Sequence, residues 1–544
     1  MACEMTRRAV LSGVLALGLV AGSARAETKT QPSEEPAAPK RITQVVLPLW
    51  SPGPVGRELG FGIADRAGAL LLTSGDYNHV HLKQALSLGR SHGWKLADLA
   101  EVDTARSAAK LLGAQVGVCG RVRAVEPAGF RLQLVAFDLR TGKTRKQEFA
   151  LPADRARAVA QGSAKVAALV AAIDGVELPG GVEVQPASES AAAMADYLSC
   201  AAVLIVQPMG LRKSHVVDPE RLAGALGKCR RAVEQDPGLT AAWAALSLAR
   251  SLVLKHEQAA AALRRARQTS GYLPLRTLAH YWLATRFRSS AEGAAVLRRA
   301  IQQHPGALVF HTYLGEHLNI SGEYSAALAV WERYQQLVER SPYARAQQGY
   351  ALARLGELER SLAVTREACR AEPGNLDLKL ELASRLVDAG ELDQAEKLLR
   401  PMADHPRVFG EVLLRLGYVY LLQRDHERAA HWLGRALALA QGPNEWRTRG
   451  RTRYDLAILA ARQGRLDEAE KQLLAAAEEG FMLRGLLLEN KDLEVLAERP
   501  AVAHLFKDPE LTVEPKLHAT PFPIDRAGRA DPDRERPPIT GFTF

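Results

Sequence analysis

A pair of histidines is the first group in this sequence with a spacing that metal binding requires. His79 and His81 are two residues apart, so both imidazoles would lie on one face only if this segment is a β-strand. Asp76 is the one further ligand close in sequence, because no Cys or Glu lies nearby. This is too few ligands for a metal centre, and we predict that the protein binds no metal ion.

A phosphate-binding loop is the second candidate. Gly142-Lys143-Thr144 matches the end of such a loop, but Phe137 stands where the loop's first glycine would be. The segment also has the pattern of a hairpin turn with no helix after it. The motifs GxGxxG, GxSxG and HExxH are absent. We therefore predict a protein that is not an enzyme and that holds no cofactor.

The five cysteines do not form a metal-binding pattern, since no CxxC pair occurs among Cys3, Cys119, Cys200, Cys229 and Cys369. Cys200 and Cys229 fall on neighbouring predicted helices. An oxidising compartment would permit a disulfide between them. The alternative, which we favour from the sequence, is that they are two small buried residues.

The amino terminus has the composition of an export signal. Arg7 and Arg8 precede an apolar run at residues 9–21, and residues 24–26 (ARA) form a small-x-small cleavage site. Residues 1–26 are therefore predicted to be a signal peptide for the general secretion or the twin-arginine route. The mature protein would be periplasmic or secreted, with no integral membrane segment.

Composition and charge indicate a mainly helical protein of ordinary globular type. The chain has 544 residues, of which 47% are hydrophobic, 24% charged and only 6% aromatic. Its length exceeds what one hydrophobic core usually supports, so we expect two or three folded regions. The formal net charge is +10. Because the arginines are spread along the predicted helices, we interpret this excess as solvated helix faces and predict no nucleic-acid partner.

A small α/β domain is predicted at residues 42–176, after a linker at 27–41. Short β-branched and alternating runs indicate strands, and a long Ala- and Val-rich stretch indicates a helix that needs a sheet face to cover. Strands are predicted at 42–50, 115–125, 130–139 and 144–151, and helices at 60–72, 104–112 and 154–173.

The pieces of this domain resemble the amino-terminal domain of TolB and related envelope proteins. The resemblance lies in residues 42–48 (ITQVVLP), 59–64 (LGFGIA), 112–122 (LGAQVGVCGRV) and 136–142 (AFDLRTG), which occur in the same order. It implies helices packed on a small mixed sheet. It also implies a role in contacting a partner without an active site.

The region after a second linker, at residues 177–190, repeats with a period of 34 residues. The twentieth position of each unit is always small, as expected where the two helices of a hairpin cross. Glycines at 322, 356, 390 and 464 would turn the chain inside hairpins, because glycine accepts a left-handed backbone. Units begin at Thr240, Pro274, Leu308, Pro342, Leu376 and Gly410, and at Gly450 after a six-residue insertion.

These units resemble the tetratricopeptide repeat family. The resemblance implies an all-α solenoid at residues 191–507, with an earlier degenerate unit and a carboxy-terminal cap, followed by a disordered tail at 508–544. The fold class is therefore α+β multidomain, a small α/β domain before a helical solenoid. On the family's pattern, the ninth position of each unit and its neighbours line a groove. The predicted groove residues are Trp282, Arg286, Glu316, Asn319, Tyr343, Tyr350, Asp377 and Tyr418.

Two functions remain open at this point. The first is a non-catalytic exported scaffold or adaptor that binds a protein or peptide in the groove, within a cell-envelope assembly. The second is an enzyme or small-ligand sensor with a site between the α/β domain and the first repeats, near Arg212 and His215. The sequence does not identify the partner or the oligomeric state.

Overall fold

The computed structural model places most of the chain between Arg41 and Lys507. The predicted signal peptide, the predicted tail, residues 177–186 of the second linker and residues 206–218 lie outside the described part. The described residues are 41–92, 94–125, 127, 129–176, 187–205, 219–253, 255–267, 274–287, 289–338, 340–404, 410–441, 446–479, 481, 487 and 490–507.

A five-stranded mixed sheet forms the centre of the amino-terminal domain. Its strands are β1 (Ile42–Val46), β2 (Tyr77–Val80), β3 (Val116–Val125), β4 (Gly129–Asp138) and β5 (Thr144–Leu151). The strand order is β2-β1-β3-β4-β5, with β1 parallel to β2 and β3, and with β3, β4 and β5 antiparallel. The predicted α/β fold is thus confirmed, and β3 to β5 lie where alternation predicted them.

Helices cover both faces of this sheet. They are α1 (Pro54–Thr73), α2 (Leu82–Ser91), α3 (Val102–Leu111) and α4 (Arg155–Asp174). Helices α1 and α4 pack together on one face, and α3 packs on the other. Within the described residues, α4 is the one helix long and apolar enough to span a membrane by composition, but 61% of its apolar window is buried in the protein. Such burial is typical of a core helix.

Helix α1 begins earlier than its glycine-rich sequence predicts. It starts at Pro54 and not near residue 60, because proline is well suited to the first helical turn. The glycines serve close packing. A Cβ atom on Gly60 would lie 2.3 Å from the carbonyl oxygen of Leu49, so only glycine lets the helix approach the chain that follows β1.

The sequence reasoning missed β2 and α2. The four residues of β2 (YNHV) show no alternation, since all four side chains are buried. Parallel pairing with β1, which joins Ile42 to Tyr77 and Val45 to Val80, is what makes this segment a strand. Such pairing depends on residues distant in the chain, and a local pattern does not reveal it.

Successive helical hairpins form the rest of the described chain. The first helices are α5 (Ala191–Ile205), α7 (Thr240–Leu252), α9 (Pro274–Phe287), α11 (Leu308–Ile320), α13 (Pro342–Arg354), α15 (Leu376–Asp388), α17 (Gly410–Leu422) and α19 (Trp446–Arg462). The second helices are α6 (Pro219–Gln235), α8 (His256–Ala266), α10 (Ser290–Gln303), α12 (Tyr324–Leu337), α14 (Leu358–Ala371), α16 (Leu392–Ala403), α18 (His426–Leu439) and α20 (Leu466–Glu478). Six of the first helices begin at the residue from which the period was counted. The predicted solenoid is confirmed.

Small residues are found where the two helices of a hairpin cross. A Cβ atom on Gly315 would lie 2.4 Å from the Trp331 ring, and one on Gly417 would lie 2.7 Å from the Leu433 side chain. The small residue at the twentieth position is buried in every hairpin from α7 to α20. Close packing between helices therefore explains why the sequence repeats.

The turns inside hairpins use a left-handed residue, and one of them lacks glycine. Gly322, Gly356, Gly390 and Gly464 have φ between 72° and 84°, and Arg424 takes the same role with φ 62°. A left-handed conformation costs a side-chain-bearing residue about 1–2 kcal/mol.

We expect Arg424→Gly to raise the free energy of unfolding by roughly 0.5–1 kcal/mol, because relief of the left-handed strain exceeds the entropy that glycine adds to the unfolded chain. Urea denaturation measures the change. Gly390→Ala is the matched control, since a Cβ atom there meets nothing within 4 Å and only the backbone strain changes. It should destabilise the protein by about 1 kcal/mol. A stability loss in Arg424→Gly would contradict the explanation.

The first hairpin of the solenoid carries a disulfide, and the last hairpin is followed by a cap. A disulfide joins Cys200 of α5 to Cys229 of α6, with Cα atoms 5.5 Å apart. The two cysteines are buried, as we favoured from the sequence, but they are also bonded, which corrects that interpretation. At the other end, a 3-10 helix at Lys491–Leu496 and helix α21 (Ala503–Lys507) follow α20, and Leu493 is fully buried in this cap.

The α/β domain packs against loops that connect successive hairpins. The amide of His79 donates to the carbonyl of Gly306 at 2.8 Å, and His79 also forms a β-bridge with Ala307. One repeat further on, the Thr43 hydroxyl donates to the carbonyl of Leu337 at 3.1 Å. Hydrophobic clusters continue across this contact. The solenoid therefore covers the β2 edge of the sheet, and the two parts share a core.

Candidate partner-binding groove

Neighbouring first helices contact one another through a row of polar and aromatic side chains. The Tyr343 hydroxyl donates to the Glu316 carboxylate, and the Arg385 guanidinium lies over the Tyr350 ring at 5.2 Å from its centroid. We define the groove as the first-helix side chains along this row. Its members are Glu316, Asn319, Tyr343, Tyr350, Asp377, Ser384, Arg385, Glu411, Arg415, Tyr418 and Arg451.

Two of the amino-terminal predicted residues, Glu316 and Asn319, are buried inside the protein. Glu316 is 7% exposed and Asn319 is 2% exposed, with the Asn319 amide donating to Gln347 at 3.3 Å. Trp282 packs against two hydrophobic clusters. The Arg286 side chain lies outside the described part. Among the described side chains at this end of the row, Trp282 is half-buried and is the one that a partner can reach.

The carboxy-terminal predicted residues are accessible. Tyr343 is 41% exposed, and Tyr350, Asp377 and Tyr418 are half-buried. Half-buried tyrosines present a rigid apolar ring and a hydrogen-bonding hydroxyl at little entropic cost. These four residues, carried by α13, α15 and α17, form the accessible carboxy-terminal part of the predicted site.

Tyr350 and Tyr418 are each held by an arginine that the sequence analysis did not predict. The Arg385 guanidinium lies over Tyr350, and the Arg451 guanidinium lies over Tyr418 at 5.1 Å from the ring centroid. Each cation–π contact joins consecutive first helices and fixes the orientation of the ring. Arg385 and Arg451 occupy different positions of their repeats, the tenth and the second, so a search for recurring residue types does not find them.

Ion pairs hold the remaining charged groups of the groove. Arg415 donates to the Ser384 hydroxyl and pairs with Glu411 at 2.9 Å. Arg451 pairs with Asp455 at 3.0 Å. Burial raises the pKa of Asp455 to about 6, against the opposing effect of Arg451. The groove therefore combines aromatic rings with charges of both signs held in fixed positions.

His79 and His81, the candidate metal ligands, lie at the contact with the solenoid, but they bond to different groups. The Gln44 amide is 2.8 Å from Nδ1 of His79, whereas Nε2 of His81 is 3.1 Å from Asp65. Burial and the neighbouring His81 lower the pKa of His79 to about 3, so this imidazole stays neutral. Within the described residues, no group of three His, Cys, Asp or Glu side chains is placed to hold a metal ion.

Arg212 and His215, which the sequence placed near the site of the alternative function, lie outside the described residues. Polar groups at the described contact between the domains pair with each other. The Gln84 amide donates to the Tyr334 hydroxyl at 2.9 Å, and His92 lies 3.5 Å from Glu372. These pairs hold the domains together, and the enzyme or sensor alternative stays a prediction.

A family comparison agrees with this geometry. The family model described as tetratricopeptide repeat matches residues 380–445, which span most of α15 to α18. This segment is similar to tetratricopeptide repeats. The match includes Arg385, Arg415 and Tyr418 of the groove. No curated protein matches the chain significantly.

Solved structures similar to this chain include other repeat proteins. A thermophilic tetratricopeptide repeat protein of Thermus thermophilus is 27% identical over 32% of this chain and 91% of that chain, with a TM-score of 0.29. A tetratricopeptide repeat protein of Parabacteroides merdae is 14% identical over 51% and 98%, with a TM-score of 0.36. Yeast Tom70 is 15% identical over 58% and 67%, with a TM-score of 0.41.

Proposed function

We propose that this protein is a non-catalytic binding protein that holds an extended segment of a protein partner in the carboxy-terminal part of the groove. The observation that carries the proposal is the pair of clamped tyrosines, Tyr350 under Arg385 and Tyr418 under Arg451. Tetratricopeptide repeat proteins generally mediate protein–protein interactions, which supports this assignment.

The chemistry of the groove indicates what the partner segment provides. Tyr343 and Tyr350 lie on α13 and Tyr418 lies on α17, two repeats further along, so they match a segment that runs across several repeats. Arg415 and Glu411, also on α17, carry opposite charges. A segment with apolar side chains spaced to meet the rings, and with polar groups of both signs between them, would complement this surface. Buried aromatic anchors of this kind dominate binding free energy in many interfaces.

The proposal places this function outside the cytoplasm, in a cell-envelope assembly. The Arg7-Arg8 leader and its small-residue cleavage site support export. The Cys200–Cys229 disulfide supports an oxidising compartment, because such bonds persist mainly there. The resemblance of residues 42–142 to the amino-terminal domain of TolB supports an envelope role. In this arrangement the α/β domain braces the repeats from one edge and leaves the carboxy-terminal groove accessible.

A photo-crosslinking side chain in place of Tyr343 should capture the partner in cells that express the full chain. Mass spectrometry of the adduct identifies the partner segment, which is then titrated against the purified protein. We expect Tyr350→Ala and Tyr418→Ala each to weaken binding by about 30-fold, since a central aromatic contributes on the order of 2 kcal/mol.

Leu439→Ala is the matched control, because Leu439 is 45% exposed on a second helix, away from the groove. It should leave the affinity unchanged. Equal affinity of the tyrosine variants and the wild type would contradict the proposal. So would capture of the same partner from a crosslinker placed at Leu439.

A further inference from the structure

The basic charge of this protein is concentrated in one part of the solenoid. Residues 219–303 contain 14 Lys and Arg residues and five Asp and Glu residues, a net charge of +9, whereas the whole chain carries +10. These residues form the three second helices α6, α8 and α10 and the two first helices between them. The interpretation that the arginines are spread evenly along the predicted helices is therefore wrong.

Six of these arginines occupy the same two positions in three consecutive repeats. Each of the three second helices carries an Arg-Arg pair, and the pairs are 34 residues apart in the chain. All six residues are exposed. We define the arginine ladder as these pairs: Arg230-Arg231, Arg264-Arg265 and Arg298-Arg299.

Among the described residues, half of the ladder forms no ion pair. Arg231 pairs with Asp196 at 2.7 Å, and Arg230 and Arg298 lie at 3.5 Å and 4.0 Å from glutamates. Arg264, Arg265 and Arg299 form no ion pair with any residue in the described part of the chain. Six exposed guanidinium groups of equal sign on three consecutive hairpins repel one another. An anion outside the protein would relieve this repulsion.

We propose that the arginine ladder is a docking surface for an anionic phospholipid membrane. Charge complementarity favours phosphate, because guanidinium groups bind phosphate oxygens with two parallel hydrogen bonds. The placement favours a membrane, since all six arginines are exposed and lie on the second helices of three consecutive hairpins. Docking there would leave the groove on the first helices free.

The composition of the surface argues against nucleic acid. Helices α6, α8 and α10 contain no Phe, Tyr or Trp, and single-stranded nucleic acid is bound largely by stacking on such rings. The arginines are distributed over three separate helices, whereas readers of duplex DNA place one helix or strand into a groove. A flat array of anionic headgroups requires neither feature.

Sedimentation of the full chain with lipid vesicles tests the proposal. The protein should bind vesicles of phosphatidylcholine mixed with phosphatidylglycerol, should not bind pure phosphatidylcholine, and should dissociate as salt rises. The triple variant Arg264→Gln/Arg265→Gln/Arg299→Gln should bind about 100-fold more weakly, the equivalent of ~1 kcal/mol for each arginine near an anionic surface.

Two further variants keep the result interpretable. Arg370→Gln/Lys471→Gln/Lys491→Gln removes the same charge from exposed positions of later repeats and of the cap, and it should bind like the wild type. Arg264→Lys/Arg265→Lys/Arg299→Lys keeps the charge and should retain most of the binding. Circular dichroism confirms that each variant is folded.

Three outcomes would overturn the proposal. The first is a wild-type protein that does not bind the anionic vesicles. The second is an equal loss of binding in the ladder variant and in the charge-matched control. The third is tighter binding of duplex DNA or of an acidic polypeptide than of the vesicles, which would assign the ladder to another class of partner.

Discussion

Reducing the Cys200–Cys229 disulfide is expected to lower the free energy of unfolding by about 3–4 kcal/mol, the loop-closure entropy of a cross-link that spans some 30 residues. The bond joins the two helices of the first hairpin across a separation of 29 residues. Because α5 also packs on α1 and α4, the loss should loosen the contact between the α/β domain and the solenoid as well.

Urea denaturation with and without dithiothreitol measures this effect. The variant Cys200→Ser/Cys229→Ser provides the control, since it should show the lower stability in both conditions and no response to the reductant. The free cysteines, Cys119 and Cys369, do not form a disulfide in the structure and should not contribute. A wild-type protein whose stability is the same in both conditions would show that the bond does not constrain the unfolded chain.

Acidification from about pH 7.5 to about pH 5 is expected to destabilise the protein by roughly 3 kcal/mol. Burial is the main cause that lowers the pKa of His79 to about 3 and that of His311 to about 4. The neighbouring imidazole of His81 adds to the effect at His79. Unfolding lets both histidines take up a proton below pH 6.5, so stability is lost as the pH falls through that value towards the folded pKa values.

The sign is opposite for Asp455, whose pKa is raised to about 6 by burial. Its folded form takes up a proton before its unfolded form does, so it offsets about 1 kcal/mol of the ~4 kcal/mol that the two histidines contribute at about pH 5. The histidines still outweigh this carboxyl, and the net change is a loss of stability.

Denaturation at the two pH values measures the net change, and two variants assign it. His79→Gln and His311→Gln should each remove about 2 kcal/mol of the pH dependence, because glutamine does not titrate. Either variant is expected to be less stable than the wild type at neutral pH, so the pH dependence and not the absolute stability is the quantity to compare. An unchanged pH dependence in the double variant would show that other groups control acid stability.

The groove shows how far reasoning from the sequence extends to the site. Tyr350 and Tyr418 were found because both fall at the ninth position of a repeat, and the structure leaves both half-buried on the row between first helices. Glu316 fell at the same position and is 7% exposed, and its carboxylate accepts a hydrogen bond from Tyr343 of the next repeat. The position in the repeat predicts the direction of a side chain. Its exposure depends on the side chains that surround it in the folded protein.

The sequence by itself determined the solenoid. The helix starts at Thr240, Leu308 and Leu376 follow from a 34-residue period, and small residues mark where helices cross. Each hairpin contacts mainly the next one along the chain, so the information that specifies it lies within a few tens of residues. The arginine ladder has the same origin, since its pairs recur with that period.

Only the tertiary structure decided which distant segments meet. β2 is a strand because it pairs with β1, and its His79 bonds to Gly306, a residue 227 positions further along the chain. The contact of Arg451 with Tyr418 and the disulfide between Cys200 and Cys229 likewise depend on how the helices pack. The local sequence pattern does not indicate which of these surfaces contact one another. The contacts depend on shape and burial in the folded protein, and they follow no periodicity in the sequence.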